Sequence, residues 1–160
     1  MANITNSNLG MYAEDLVNRT AEYWYNKNIG LLEKREIPIK IFKKIDATTI
    51  LGKLMSKSFV DYFGFYKSNY FEFDVKETSK EYFDKALLQK HQIQRLEKLN
   101  EMNIKGFVLV YFSLKEEFYV IDYKVFINHT KNKMDYEFIR TNCHELKIIY
   151  PGILDLISYL

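Results

Sequence analysis

At 160 residues the chain has the length of one domain, long enough to bury a hydrophobic core. Its content is 48% apolar and 16% aromatic, which excludes a disordered chain. The net charge is only +2, but it is unevenly placed. Between Lys34 and Lys57, seven basic residues (Lys34, Arg35, Lys40, Lys43, Lys44, Lys53, Lys57) face two acids (Glu36, Asp46), so this segment is +5 and the remainder −3. A local basic surface on an otherwise acidic chain suits a polyanion, although a solvated charged face accounts for the same count. No apolar run approaches the roughly 20 residues needed to cross a bilayer. The start "MANITNSNLG" has neither a basic opening nor an apolar stretch, so no signal peptide is read. The single cysteine, Cys143, allows no internal disulfide, and a cytoplasmic location is expected.

The elements follow in chain order. Ala13, Leu16, Val17, Thr20, Ala21 and Trp24 recur at helical spacing, with Ser7 or Asn8 as cap and Gly30 as stop. In "REIPIKIFKKI", Pro38 and the alternating Ile37, Ile39 and Ile41 predict an extended edge segment. A short helix is predicted over Ala47–Met55. A hairpin follows, with strands Phe59–Phe65 and Tyr70–Lys76 about a turn at Lys67-Ser68-Asn69. "DKALLQKHQIQRLEKLNEMNIKG" predicts an amphipathic helix ended by Gly106. Phe107–Phe112 reads as a buried strand and Glu117–Ile121 as the next. An irregular stretch to Arg140 leads to a last strand, Glu145–Ile149, and a terminal helix begun by Pro151. The order implies an α/β fold, a mixed sheet flanked by helices.

The aromatic hairpin carries acids where a buried hairpin should lack them. In a strand, residues i and i+2 share a face, so Asp74 and Lys76 point one way and Val75 the other. Asp61, on the paired strand, reaches the same place if the register allows. Two carboxylates can share Mg²⁺ or a similar hard cation, which activates water, and a lysine nearby can stabilise charge on a phosphate. The same acid-x-lysine spacing recurs at Asp122/Lys124 and Glu145/Lys147, so spacing alone is equally served by a surface ion pair. His91, His129 and His144 have no metal-ligand spacing, and Trp24 and Cys143 read as core.

The blocks "LGMYAEDLVNRTAEYWYNKNIGLLEKREIPIKI", "DYFGFYKSNYFEFDVKET", "KHQIQRL" and "GFVLVYF" stand in the order of the RecU family, and the chain resembles that family over nearly its whole length. The resemblance implies a single nuclease domain over residues 1–160 with a restriction-endonuclease-like fold and a projecting basic stalk at about 38–58. It implies an endonuclease that resolves four-way (Holliday) junctions in DNA recombination and repair by paired cuts. Asp61, Asp74 and Lys76 match the family's catalytic positions. Asp61, Asp74 and Gln92 match its metal site for Mg²⁺ or Mn²⁺, and Glu14 matches an additional acid of related nucleases. Lys40, Lys43, Lys44, Lys53 and Lys57 would contact DNA. The implied partners are four-way junction DNA, a second copy in a homodimer, and branch-migration and strand-exchange proteins, with no membrane.

Departures from the family pattern bear on activity. Phe59 stands where the family places a threonine of the metal site, Asp74 replaces a longer glutamate, and Leu9 replaces an arginine. A protein that binds branched DNA but cuts weakly or not at all is the second reading, and an interaction module of recombination the third.

Overall fold

The computed structural model describes residues 11–55 and 60–160. Phe59, Ser58 and Lys57, like Leu9 and the expected caps Ser7 and Asn8, lie outside them.

Helix α1 (Met11–Asn26) is followed by β1 (Leu31–Lys34), the hairpin β2 (Ile39–Lys44) and β3 (Ile50–Leu54), then β4 (Tyr62–Tyr66) and β5 (Asn69–Thr78). The chain continues through β6 (Tyr82–Asp84), α2 (Lys90–Glu101), β7 (Lys105–Phe112), β8 (Glu117–Asp122), α3 (Tyr123–Asn128), β9 (Lys133–Asp135) and α4 (Tyr136–Asn142). Three short strands end it: β10 (His144–Leu146), β11 (Ile148–Ile149) and β12 (Ile153–Leu154). The main sheet has six strands in the order β1-β4-β5-β7-β8-β10. Only β5 and β7 are parallel; the other neighbours are antiparallel.

Strand alternation splits the core into two layers. On one face Phe71, Phe73 and Val75 of β5 and Phe107, Leu109 and Tyr111 of β7 meet α1 through Ala13, Leu16, Val17 and Trp24. On the other, Val108, Val110 and Phe112 of β7 meet Leu96 and Leu99 of α2, with Phe126 of α3 and Ile139 of α4. Strand β7 is buried on both sides, as its continuous apolar run requires. Strand β5 is not apolar on both sides. Its residues facing α2 are Glu72, Asp74 and Lys76, three charges in succession on a covered face.

Several expectations change. Ala47–Met55 is not a helix. Asp46 Oδ1 accepts hydrogen bonds from the Thr48 and Thr49 amides, both at 2.8 Å, closing a turn after which Ile50–Leu54 pairs with β2. The stretch 123–140 contains α3, β9 and α4, elements too short to show a period; Asp122 caps α3 by accepting from the Lys124 amide at 2.9 Å. The last strand is interrupted at Lys147, giving β10 and β11. Pro151 starts no helix: Gly152 at φ +101° turns the chain so that β12 returns against β11, leaving a single 3₁₀ turn, Leu156–Ser158. In the aromatic hairpin the turn is tighter than expected. Lys67 and Ser68 both have positive φ, and Asn69 already pairs with Tyr66.

The β2–β3 hairpin forms a sheet of its own, and every residue of both strands is exposed. No helix among the described residues is long and apolar enough to cross a membrane.

Candidate active site under helix α2

The hairpin register explains how two distant acids meet. Tyr62 is paired with Phe73 and Phe63 with Glu72. One step beyond Tyr62, the same register sets Asp61 across from Asp74. Asp61 is held there by its carbonyl, which accepts the Arg35 amide at 2.7 Å. Beneath, on the opposite face, Tyr62, Phe73 and Phe107 stack, with ring centroids 5.2 Å and 4.9 Å apart, and stiffen the two strands.

Asp74 has no solvent exposure. Its Oδ1 accepts from Gln92 Nε2 at 2.6 Å, and its Oδ2 forms an ion pair with the Lys76 ammonium. Burial raises the Asp74 pKa well above the ordinary carboxylate range; the Lys76 charge opposes this, while the charge of Asp61 and a hydrogen bond between the two carboxyls add to it. The pocket is therefore short of positive charge when both acids ionise. Among the described residues no three His, Cys, Asp or Glu side chains converge. Two carboxylates with the remaining positions left to water or carbonyl oxygen suit Mg²⁺ or Mn²⁺, so these residues fit such a cation.

Gln92 is fixed from two sides. Its Oε1 accepts the Gln89 amide at 2.9 Å in the first turn of α2, while its Nε2 reaches Asp74. The nitrogen rather than the oxygen faces the acids, so Gln92 positions Asp74 in this arrangement; lending its oxygen to a cation would take that oxygen from the helix cap. Glu14 is engaged on α1, where its carboxylate pairs with Lys34 of β1.

The hairpin has two unlike faces. Cross-strand pairs place Ile39 with Leu54, Ile41 with Gly52 and Lys44 with Ile50 on one side. Lys40 with Lys53 and Lys43 with Leu51 lie on the other. Phe42, at the bulge between Ile41 and Lys43, has no partner in the register. Lys40, Lys43 and Lys53 thus share a face, Lys44 is on the apolar side, and Lys57 lies outside the described residues.

A second charged cluster, not anticipated from the sequence, lies two residues before Asp74. Buried Glu72 accepts from Arg95 Nε at 2.8 Å and Arg35 Nη2 at 2.7 Å, from Arg95 Nη2, and from the Tyr70 hydroxyl. Its signal is the strict alternation of Glu72, Asp74 and Lys76, which sets a third charge on the face shared by the other two.

A mixed sheet flanked by helices on both faces is the restriction-endonuclease-like fold. The fold is shared with the structure of Archaeoglobus fulgidus Hjc, a Holliday junction resolvase from an archaeal hyperthermophile, at TM-score 0.53 and 12% identity over 85% of this chain and 95% of that one. The chain belongs to the RecU family: the family described as Recombination protein U matches residues 8–160. It is 32% identical to the Holliday junction resolvase RecU of Ureaplasma parvum serovar 3, over 95% of this chain and 91% of that protein. It is 30% identical to the Holliday junction resolvase RecU of Mycoplasmopsis pulmonis, over 96% of this chain and 94% of that protein.

The Asp74 environment yields a measurable sign. With its folded pKa raised above the unfolded 3.8, Asp74 costs nothing below 3.8, and its ionisation progressively destabilises the fold as pH rises through the folded value. Asp74→Asn is therefore expected to raise the thermal midpoint in chelator by several degrees at about pH 8, with the gain vanishing toward about pH 4. Thermal melts of both proteins across that range check it.

Proposed function

We propose that the protein is a metal-dependent endonuclease that resolves four-way DNA junctions. The observation that carries this is the register placing Asp61 across from Asp74, with Lys76 on the same covered face. The names of the relatives support it.

Asp61 and Asp74 would hold Mg²⁺ or Mn²⁺. When bound, such a cation supplies an activated water and stabilises charge on the scissile phosphate. The chain's own residues do the rest. Gln92 fixes the Asp74 carboxylate through Oδ1 and leaves Oδ2 to the Lys76 ammonium. Lys76, partly exposed, carries its ammonium beside Asp74, where it can donate to a phosphate oxygen or hold the attacking water. Burial under α2 excludes bulk water and strengthens each of these interactions.

The two-faced hairpin gives the same reading a binding surface. Its lysine face suits the phosphate backbone. Its apolar face, with Ile39, Ile41 and Leu54 exposed, suits a second copy, because paired cuts in a two-fold junction need two sites related by an axis.

Incubation with a labelled four-way junction tests the activity. Cleavage is expected with metal and not with chelator, and Asp61→Ala and Lys76→Ala are each expected to lower the rate by about 10²-fold or more while junction binding persists. Mn²⁺ is expected to serve better than Mg²⁺, since the site has only two carboxylates and Mg²⁺ demands near-ideal octahedral geometry. Variants that cut at the natural rate would refute the site assignment.

The hairpin faces separate by substitution. Neutralising Lys40, Lys43 and Lys53 together is expected to flatten the salt dependence of junction binding, by about 0.9 in slope for each phosphate no longer neutralised. Ile39→Lys with Ile41→Lys is expected to break the dimer in sedimentation, which the lysine variants leave intact.

A further inference from the structure

The cluster around Glu72 contains more positive charge than its buried acid needs. One bidentate arginine, Arg95, already satisfies the carboxylate through Nε and Nη2. Arg35 adds a second guanidinium, which also donates to the Tyr70 hydroxyl at 3.1 Å and lies 4.9 Å from the centre of the Phe63 ring. Two guanidiniums thus meet one carboxylate, and the trio of Arg35, Glu72 and Arg95 carries a net +1. Both arginine side chains reach solvent, at 25% and 29% exposure. Arg35 Nε is buried without a hydrogen-bond partner, and the solvent-reaching part of the group is its outer edge.

Placement decides what this charge can do. Glu72 and Asp74 are one i to i+2 step apart on the same face of β5, about 7 Å, a separation on the scale of adjacent phosphates in one strand. Gln92 and Arg95 sit one turn apart on α2 and clasp Asp74 and Glu72 respectively. Arg35 stands at the root of the β2–β3 hairpin and is tied by its amide to Asp61. A tie between strand and helix would need neither the second arginine nor the solvent-facing edges, and buried ion pairs are in general a weak source of stability.

We propose that Arg35 and Arg95, oriented by Glu72, form a seat for the phosphate next to the scissile one and so select which phosphodiester meets Asp61 and Asp74. They are positioning residues, and the assignment rests on the nuclease reading of the neighbouring carboxylates.

The test combines protein and DNA changes. Junctions carrying a single neutral methylphosphonate on either side of the cut are compared for the natural protein, Arg35→Gln and Arg95→Gln. Neutralising one neighbouring phosphate is expected to slow the natural protein about tenfold, and each variant to slow on the unmodified junction by a similar factor. On the modified junction the variants are expected to lose nothing further. Effects that multiply instead, or a natural protein indifferent to both neutral linkages, would overturn the seat. Binding gives a second readout independent of cutting. Each variant should lower the salt slope of junction binding by about 0.9, and Arg95→Lys should restore the slope without restoring the cutting rate. Unchanged slopes would overturn the proposal. If the natural protein binds but does not cut an unmodified junction, the nuclease reading fails while the slopes still decide the seat.

Discussion

A carboxylate withdrawn from water between the central sheet and α2 sets the terms for the rest of the structure. Removing an ion from water costs several kcal/mol, and Asp74 recovers only part of this from Lys76 and Gln92. Asp61 makes the deficit larger. Keeping these groups together requires a fixed register between β4 and β5, which the two-residue turn at Lys67-Ser68 supplies, and a fixed start to α2, which Gln92 itself caps. The aromatic stack on the far face provides the apolar burial against which that arrangement is held.

The two buried acids of β5 are balanced in opposite ways. Glu72 is surrounded by donors and remains charged, whereas Asp74 lies beside another acid and resists charging. Both lack solvent exposure and share one strand and one covering helix, but Asp74 is the more deeply enclosed. The difference is set by that depth and by what α2 and the Arg35 segment bring to each. One group organises cations that the protein already owns, and the other has an electrostatic deficit that a cation from solution can fill.

Much of this arrangement was legible in the sequence. Long elements with a clear period, α1 above all, and the uninterrupted run of β7 carry their assignments in their residues; α2 is shorter than its pattern suggested, since Asp84 closes β6, Lys85–Leu87 is a 3₁₀ turn and Gly106 lies inside β7 rather than ending the helix. The alternation around Asp74 fixed which side chains share a face. The short elements were hidden because three to six residues show no period, and because their signals are single caps such as Asp122 or a turn-former such as Asp46. The partners of Glu72 were hidden for another reason. Arg35 and Arg95 lie 37 and 23 residues away from it, and only tertiary structure brings them together.

The exposed β2–β3 ribbon is one layer thick, and that has a thermodynamic consequence. A two-stranded ribbon with no core of its own is only marginally ordered in water. Its lysine side and its isoleucine side are two surfaces of a single backbone. Whatever stiffens one surface has already met the ordering entropy for the other, so occupancy of the two sides is linked favourably without any change of shape. Assembly and polyanion capture on such a ribbon would each raise the apparent affinity of the other.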